Sequence, residues 1–383
     1  MTALEYGRGL LPLWLLEPDA VFLNHGSFGA TPRAVLDAQS SWRARMENQP
    51  VRFMVRELPI ALHASLEKLG AVIGARAADL AFVDNATSGV NAVLRSIDWQ
   101  AGDEIVLSRQ AYESVEQAAR YIADRHGVRL RHAAIPFPVD SDTAIEHAYR
   151  EALGPRTRLV IIDHVSSQTA LIAPVQRIVA LCREAGCAVL VDGAHAPGML
   201  PLSIESLGAD WYTGNCHKWL FAAKGCAFLW TAPARQANTH PLCIAKGYGA
   251  GYRDEFDWTG TRDPSAWLAL DAALEFHRTL GGERLCERNH AQVIAAAQML
   301  CAAWHVDMPA PQSLFGSMAT VPLPPRWPVS IEQAKRLHDR LWDEHRIELP
   351  VLAHNDRLWV RISCQAYNEA ADYERLAQAV LAL

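Results

Sequence analysis

The sequence lacks the excess of positive charge that is typical of proteins bound to nucleic acids. Lysine and arginine number 36 against 42 aspartates and glutamates, which gives a formal net charge of −6. Without a cationic field, the chain has no general attraction for a phosphodiester backbone. We therefore expect no nucleic-acid partner.

Long apolar runs are also missing. The first stretch, MTALEYGRGLLPLWLLEPDA, is apolar only in patches and has no cationic start. No other stretch approaches the roughly 20 apolar residues of a helix that spans a bilayer. These absences predict a cytoplasmic protein without a membrane partner.

The eight cysteines form no CxxC pair and are not densely spaced. Their spacing therefore does not indicate a disulfide scaffold of the secreted kind or a zinc site. We expect most of them to be small buried hydrophobic residues, and we predict no metal site.

What the sequence does contain is a regular alternation of apolar runs and segments with helical periodicity, from about residue 58 to 231. Strands are predicted at 80–83, 104–107, 159–162, 188–191 and 226–230, and helices at 59–75, 114–127, 141–153 and 175–186. This order predicts an α/β fold with a mostly parallel sheet that is covered on both faces.

The pattern changes between about residues 232 and 262, where glycines, aromatics and turn residues replace the apolar runs. Beyond it, helices are predicted over 264–305, over 331–345 and at the C-terminus, with strands near 316–321 and 357–363. At 383 residues, the chain is long enough for two domains. We predict a large ligand-binding domain over 20–255 and a small α+β domain made of 1–19 and 256–383, with the N-terminal segment lining the site.

One lysine stands in an unusual setting. Lys218 follows His217 in DWYTGNCHKWLFAAKGCAFLW, a segment with apolar runs at both ends. Burial lowers the pKa of an amine, and a neutral amine can attack an aldehyde. A snorkelling lysine at the end of a strand is the ordinary alternative.

The segment VDGAHAPG lies upstream and places Asp192 at the end of an apolar strand, with His195 three residues later. Ligands of open α/β sheets bind at the carboxyl ends of the strands. A carboxylate there can keep a pyridine nitrogen protonated, which makes the ring an electron sink. A turn-forming aspartate and a structural histidine are the alternatives. Together with Lys218, the two residues predict the cofactor pyridoxal 5′-phosphate.

A turn in FVDNATSGVNAVL offers a place for a phosphate group. Asn85, Ala86 and Thr87 lie between a predicted strand and a predicted helix, where free amides and the helix dipole attract an anion. Thr213 and His217 would add donors if the sheet brings them near. An ordinary capped helix is the alternative.

Two further side chains follow predicted strands. Tyr112, in SRQAYESV, could lay its ring on the cofactor or serve in core packing. Ser166, in DHVSSQTALIAP, lies where a hydroxyl could contact the ring oxygen.

These motifs occur in a familiar order. LNHGSFGATP, NATSGVNAV, DHVSSQTALIAPV, VDGAHAPG, TGNCHKW and RISCQAYN together resemble the class V aminotransferase family of fold type I pyridoxal phosphate enzymes, and above all its isopenicillin N epimerase-like branch. The resemblance runs from Leu23 to Tyr367. It implies a large domain with a mostly parallel seven-stranded sheet and a smaller α+β C-terminal domain.

The resemblance also implies roles for individual residues. Lys218 would form the Schiff base, and Asp192 would pair with the pyridine nitrogen. Tyr112 would stack on the ring, and His195 would lie beside the ring and its phenolic oxygen. The phosphate would be held by Asn85, Ala86, Thr87, Thr213 and His217.

Residues outside the central segments are implied as well. Thr261, in WTGTRDPSAW, would reach the phosphate of a neighbouring subunit, which implies a homodimer with shared sites. Arg361 would hold a substrate α-carboxylate through its planar guanidinium, and a salt bridge at a strand end is the alternative. Asn24 and His25 would line the substrate entrance.

Proton transfer at the α carbon of an amino acid, with Lys218 as one base, is the step that such a site implies. The resemblance favours epimerisation or racemisation of an amino acid or a small peptide-like substrate, with Tyr112 or His25 as the second acid or base. β-Elimination by a C–S lyase or cysteine desulfhydrase-like enzyme is the main alternative. Transamination is another, and a cofactor-binding module without turnover is the most remote.

Overall fold

Strands and helices alternate along most of the chain. The structure is a computed structural model and describes residues 5–383. Its strands are β1 (Val21–Phe22), β2 (Leu80–Val83), β3 (Glu104–Ser108), β4 (Arg129–Ala133), β5 (Thr157–Asp163), β6 (Ala188–Asp192), β7 (Trp211–Asn215), β8 (Ala227–Thr231), β9 (Met318–Pro322), β10 (Ile347–Glu348), β11 (Val351–His354) and β12 (Arg357–Ser363).

The α-helices are α1 (His25–Phe28), α2 (Arg33–Asn48), α3 (Pro50–Arg52), α4 (Leu58–Ile73), α5 (Ala86–Ser96), α6 (Glu113–His126), α7 (Asp142–Ala152), α8 (Val175–Glu184), α9 (Ile204–Leu207), α10 (Pro233–Gln236), α11 (Tyr252–Asp257), α12 (Ser265–Leu268), α13 (Leu270–Thr279), α14 (Glu283–Trp304), α15 (Ile331–His345) and α16 (Ala370–Ala382). Short 3₁₀ turns cover Arg8–Leu13, Ala77–Asp79 and Gln312–Leu314, and a π turn covers Phe53–Glu57.

Seven of these strands form one sheet, in the order β2-β8-β7-β6-β5-β3-β4. Six of the seven strands run in the same direction, and β8 alone runs in the opposite direction. The predicted mostly parallel seven-stranded sheet is therefore confirmed. The pattern missed β4 and β7. β4 is an edge strand with the sequence RLRHA, and β7, WYTGN, ends in polar and small residues.

Both faces of this sheet are covered by hydrophobic side chains. Since successive side chains of a strand point to opposite faces, one buried strand contributes to the core on each side. In β5, Val160 and Ile162 belong to one hydrophobic cluster, whereas Leu159 and Ile161 belong to the other. Several of the helices begin with a polar side chain that accepts a backbone N–H of the first turn. The side chain of Ser141, for example, accepts the Ala144 N–H at 3.3 Å and so begins α7.

A second, antiparallel sheet has the order β11-β12-β9, and β1 pairs with β10. The predicted strands near 316–321 and 357–363 and the helices α15 and α16 are confirmed. Helix α12 belongs with the large sheet, because Trp267 stacks on Phe82 of β2 with ring centroids 5.4 Å apart. The domain boundary near residue 255 stays a prediction.

None of the helices within residues 5–383 has both the length and the apolar character that a membrane crossing requires.

Candidate active site

A cavity of about 520 Å³ opens at the carboxyl ends of the parallel strands. Asp163, Asp192 and Asn215 are the last residues of β5, β6 and β7, and all three contribute to its wall. The sequence-predicted residues that line it are Asn85, Ala86, Thr87, Tyr112, Asp192, His195, His217 and Lys218. The sheet topology therefore gathers side chains that are far apart in the sequence at one edge.

Lys218 lies in the turn between β7 and β8, where Trp219, Leu220 and Phe221 are fully buried. Its Nζ is 3.1 Å from Nε2 of His195. Burial lowers the pKa of Lys218 to about 7; the charge of Arg361 adds to this effect and Asp192 opposes it. A large fraction of the amine is therefore neutral near pH 7, as attack on an aldehyde requires.

The cavity wall also includes a buried carboxylate and a neutral imidazole. Asp192 is 4% exposed, and its Oδ1 accepts the Ala194 N–H at 2.9 Å. Burial raises the pKa of Asp192, whereas the Ala194 N–H and Lys218 lower it. Burial holds the pKa of His195 well below its usual range, and its Nδ1 is buried without a partner in the described chain. An unpaired buried nitrogen of this kind is suited to bind a polar atom of a ligand.

The predicted phosphate turn is the start of α5. Asn85 caps the helix by accepting the Ser88 N–H at 2.9 Å, and the Ala86 N–H donates to Oδ1 of Asn215 at 2.8 Å. The first turn of the helix faces the cavity, where the helix dipole favours an anion. His217 lies beside it, and burial lowers the pKa of its imidazole to about 4.

Thr213 does not line the cavity. Its hydroxyl donates to the Phe228 carbonyl at 2.9 Å, and a side chain at Gly89 would collide with it at 2.3 Å. Thr213 is two residues inside β7 and lies beneath the first turn of α5, so it supports this turn from behind. Asn215, at the strand end, takes the place that the sequence analysis gave to Thr213.

Ser166 is also set back from the cavity. Its Oγ lies 3.5 Å from the Gln110 carbonyl and 3.4 Å from the Thr169 N–H, and the next residue, Ser167, lines the wall instead. Tyr112 is on the wall and 45% exposed, which places it at the mouth of the cavity and not in the core.

Arg361 is 4% exposed and stands directly behind the wall. Its Nη1 donates to the backbone carbonyl and to Oγ of Ser167, and its Nη2 donates to Oγ of Ser27 at 2.9 Å. Its Nε is buried without a partner in the described chain, and burial lowers the pKa of the guanidinium to about 10. Two cavity-lining serines therefore separate this cation from the open space.

The two N-terminal residues of the prediction lie further back. Asn24 bonds Glu348 at 2.8 Å and accepts the Ser27 hydroxyl at 2.5 Å. His25 is fully buried, with Nδ1 2.9 Å from the Tyr367 hydroxyl and Nε2 2.9 Å from the Lys218 carbonyl. Burial lowers the pKa of His25 to about 3. Both ring nitrogens are occupied, so this histidine positions the Lys218 turn and does not face the cavity.

Thr261 is exposed in the loop before α12 and does not line the cavity of its own chain.

The sequence analysis missed several residues of the wall. Asp163 is the register partner of Asp192 in the neighbouring strand, and burial, followed by the charge of Asp192, raises its pKa well above its usual range. The available signal was the position of each residue at the end of a strand: Asp163 begins the motif DHVSS, and Asn215 directly precedes CHKW. Further polar residues of the wall that were not predicted are Ser27, Asp84, Ser167 and Lys224.

These groups fit pyridoxal phosphate. The start of α5 suits a phosphate, Asp192 suits a protonated pyridine nitrogen, and the amine of Lys218 suits an aldehyde. The unpaired Nδ1 of His195 lies in the same cavity.

Comparisons with known proteins agree with this donor set. The family model for Aminotransferase class-V matches residues 21–323. A probable chloroplastic L-cysteine desulfhydrase of Arabidopsis thaliana is 35% identical over 95% of this chain and 83% of its own. The isopenicillin N epimerase of Amycolatopsis lactamdurans is 35% identical over 95% of each chain.

Among solved structures, a mutant of C-DES with glycine covalently linked to its PLP cofactor shares the fold. Its TM-score is 0.77 at 22% sequence identity, over 94% of this chain and 96% of that one. The match of the family model over most of the chain, together with relatives of this similarity, confirms the predicted family and cofactor. The chain belongs to the class V aminotransferase family and is a pyridoxal phosphate-dependent enzyme.

Proposed function

We propose that this enzyme removes the α proton of an amino acid and expels a sulfur substituent from its β carbon. The observation that carries the proposal is the setting of Lys218, whose amine faces the cavity while His25 is sealed behind it. β-Elimination needs one proton-transfer group, whereas inversion at the α carbon by two bases needs a second one on the opposite face.

Pyridoxal phosphate, when bound, supplies a sink for the electron pair that the α proton leaves behind. The neutral amine of Lys218 takes this proton. Before this step, Arg361 attracts the substrate carboxylate, which displaces the hydroxyls of Ser27 and Ser167 from the guanidinium. Because the pKa of His195 is held well below its usual range, its imidazole stays uncharged and does not retain the proton that Lys218 has taken.

The C–S bond breaks with its electron pair on sulfur, and Lys218 returns the proton to the departing thiolate. With L-cysteine, the remaining unsaturated amine takes up water and yields pyruvate and ammonia, while sulfide is released. The desulfhydrase relatives at 33–35% identity support this outcome.

Epimerisation is the second candidate, because Tyr112 lies on the cavity wall and could serve as the second acid. The epimerase relatives at 34–35% identity support it.

The two candidates can be separated in one experiment. The enzyme is incubated in deuterated water with L-cysteine, cysteine sulfoxides and a panel of other amino acids, and the products are followed by NMR and chiral chromatography. β-Elimination predicts pyruvate and ammonia. Deuterated, inverted amino acid without pyruvate would replace this proposal with epimerisation. An oxo acid that keeps the side chain of the amino acid, including its sulfur substituent, would indicate transamination. No deuterium incorporation with any amino acid would favour a module without turnover.

We further propose a homodimer in which Thr261 contacts the phosphate bound to the partner subunit. Thr261 is exposed and does not line the cavity of its own chain, which is compatible with a contact to the site of another copy. Thr261→Ala is expected to weaken pyridoxal phosphate retention by about tenfold, the effect of one lost hydrogen bond to a charged group. Equilibrium dialysis measures this affinity, and Thr143→Ala, at an exposed position on α7, is the control. A native protein that sediments as a monomer would contradict the shared site.

A further inference from the structure

Asp84 presents a carboxylate at the end of the cavity where the phosphate is proposed to bind. It directly precedes the helix cap Asn85 and lines the cavity wall. A phosphate at the first turn of α5 would therefore meet a negative charge of the protein as well as the helix amides. Like charges at short range oppose binding unless a cation compensates them.

Arg262 supplies this cation. Its Nη2 forms an ion pair with Oδ1 of Asp84. The guanidinium carbon lies 4.2 Å from the ring centroid of Trp267, whose Nε1 donates to the Gly225 carbonyl at 2.9 Å. The aromatic ring is itself stacked on Phe82 of β2. The guanidinium is thus fixed by a cation–π contact on a ring that the sheet holds in place.

The solvent exposure of the Asp84–Arg262 ion pair indicates whether the pair affects folding stability or ligand binding. The side chains of Arg262 and Asp84 are 36% and 46% exposed. Ion pairs this open to solvent contribute little to folding stability. Their effect on a doubly charged ligand beside them is larger, because removing the arginine would leave an uncompensated carboxylate next to the phosphate.

We infer that Arg262 is a positioning residue that neutralises Asp84 and thereby allows the turn at Asn85, Ala86 and Thr87 to accept a phosphate. The inference rests on the proposed placement of the cofactor phosphate at this turn. It also gives the loop before α12 two functions, since Arg262 acts within its own chain and the adjacent Thr261 is proposed to act in the partner.

The test compares two ligands and three variants. The apoenzyme is titrated with pyridoxal phosphate and with pyridoxal, which lacks the phosphate, and both affinities are measured by equilibrium dialysis. Arg262→Gln is expected to weaken pyridoxal phosphate by about tenfold and to leave pyridoxal within about twofold. Adding Asp84→Asn to this variant is expected to restore the affinity, and Asp84→Asn alone is expected to retain it. The loss in Arg262→Gln should shrink as salt is raised, because the pair is partly exposed.

Each other outcome has a distinct meaning. If Asp84→Asn fails to restore the affinity of the Arg262→Gln variant, the arginine contacts the phosphate directly and the inference is overturned. Equal losses for both ligands would show that Arg262 only supports the scaffold, which also overturns it. Wild-type protein that binds pyridoxal as tightly as pyridoxal phosphate would instead overturn the placement of the phosphate at this turn.

Discussion

Replacing Lys218 with alanine is expected to lower the rate of α-proton exchange by about 10²–10⁴-fold, the range for loss of a positioned proton-transfer group. The amine lies 3.1 Å from His195 Nε2, and its pKa is lowered to about 7. Alanine removes the base and leaves no other amine at this position. Deuterium incorporation at the α carbon, followed by NMR with whichever amino acid the wild-type enzyme exchanges, measures the loss.

Lys224 provides a matched control for this variant. It lines the same cavity, but its Nζ is held by the Gly29 carbonyl at 2.9 Å and by Oγ1 of Thr31 at 3.1 Å. After reduction with borohydride, peptide mass spectrometry should find a phosphopyridoxyl group on Lys218 in the wild type and in Lys224→Ala. The group should be absent from Lys218→Ala. A phosphopyridoxyl group on Lys224 would show that the Schiff base has been assigned to the wrong lysine.

The placement of Asp192 could be predicted because it ends an apolar strand. Lys218 was found from its apolar neighbours and from the resemblance, since β7 was not predicted. The carboxyl ends of parallel strands lie at one edge of a sheet, so residues that end β6 and follow β7 come together whatever their separation in the chain. The start of α5 could also be predicted, although the sequence suggested Thr87 or Ser88 as its cap; the cap is Asn85, which accepts the Ser88 N–H.

Other parts of the site depend on contacts that spacing does not encode. His25 is held by Tyr367, which is 342 positions away, and this bond decides that its ring faces inward. Thr213 and Asn215 are two residues apart on one strand, and only their depth beneath α5 decides which of them reaches the cavity. The side-by-side arrangement of Asp163 and Asp192 follows from the register of β5 on β6, which no single strand reveals.

The second variant with a large expected effect replaces Asp192, one member of this pair of carboxyl groups. Asp192→Asn is expected to slow α-proton exchange by about 10²–10³-fold, the range for removing one preorganised electrostatic group. We propose that the carboxylate holds a proton on the pyridine nitrogen, and a neutral amide has no charge with which to do so. The amide keeps the size of the side chain, and its oxygen can still accept the Ala194 N–H. The phosphopyridoxyl group on Lys218 should therefore persist after borohydride reduction while exchange falls.

Asp163→Asn is the control that shows which carboxylate does this. Burial, together with the charge of Asp192, raises the pKa of Asp163 well above its usual range, which favours the protonated form of this carboxyl group. Asparagine resembles that protonated form, so exchange should stay within a few-fold of the wild type. If Asp163→Asn slowed exchange as much as Asp192→Asn, the ionised partner of the pyridine nitrogen would lie on β5 and not on β6. Two neighbouring carboxylates cannot both be charged at low cost in a buried site, so these variants should differ, and the more damaging one identifies the charged member.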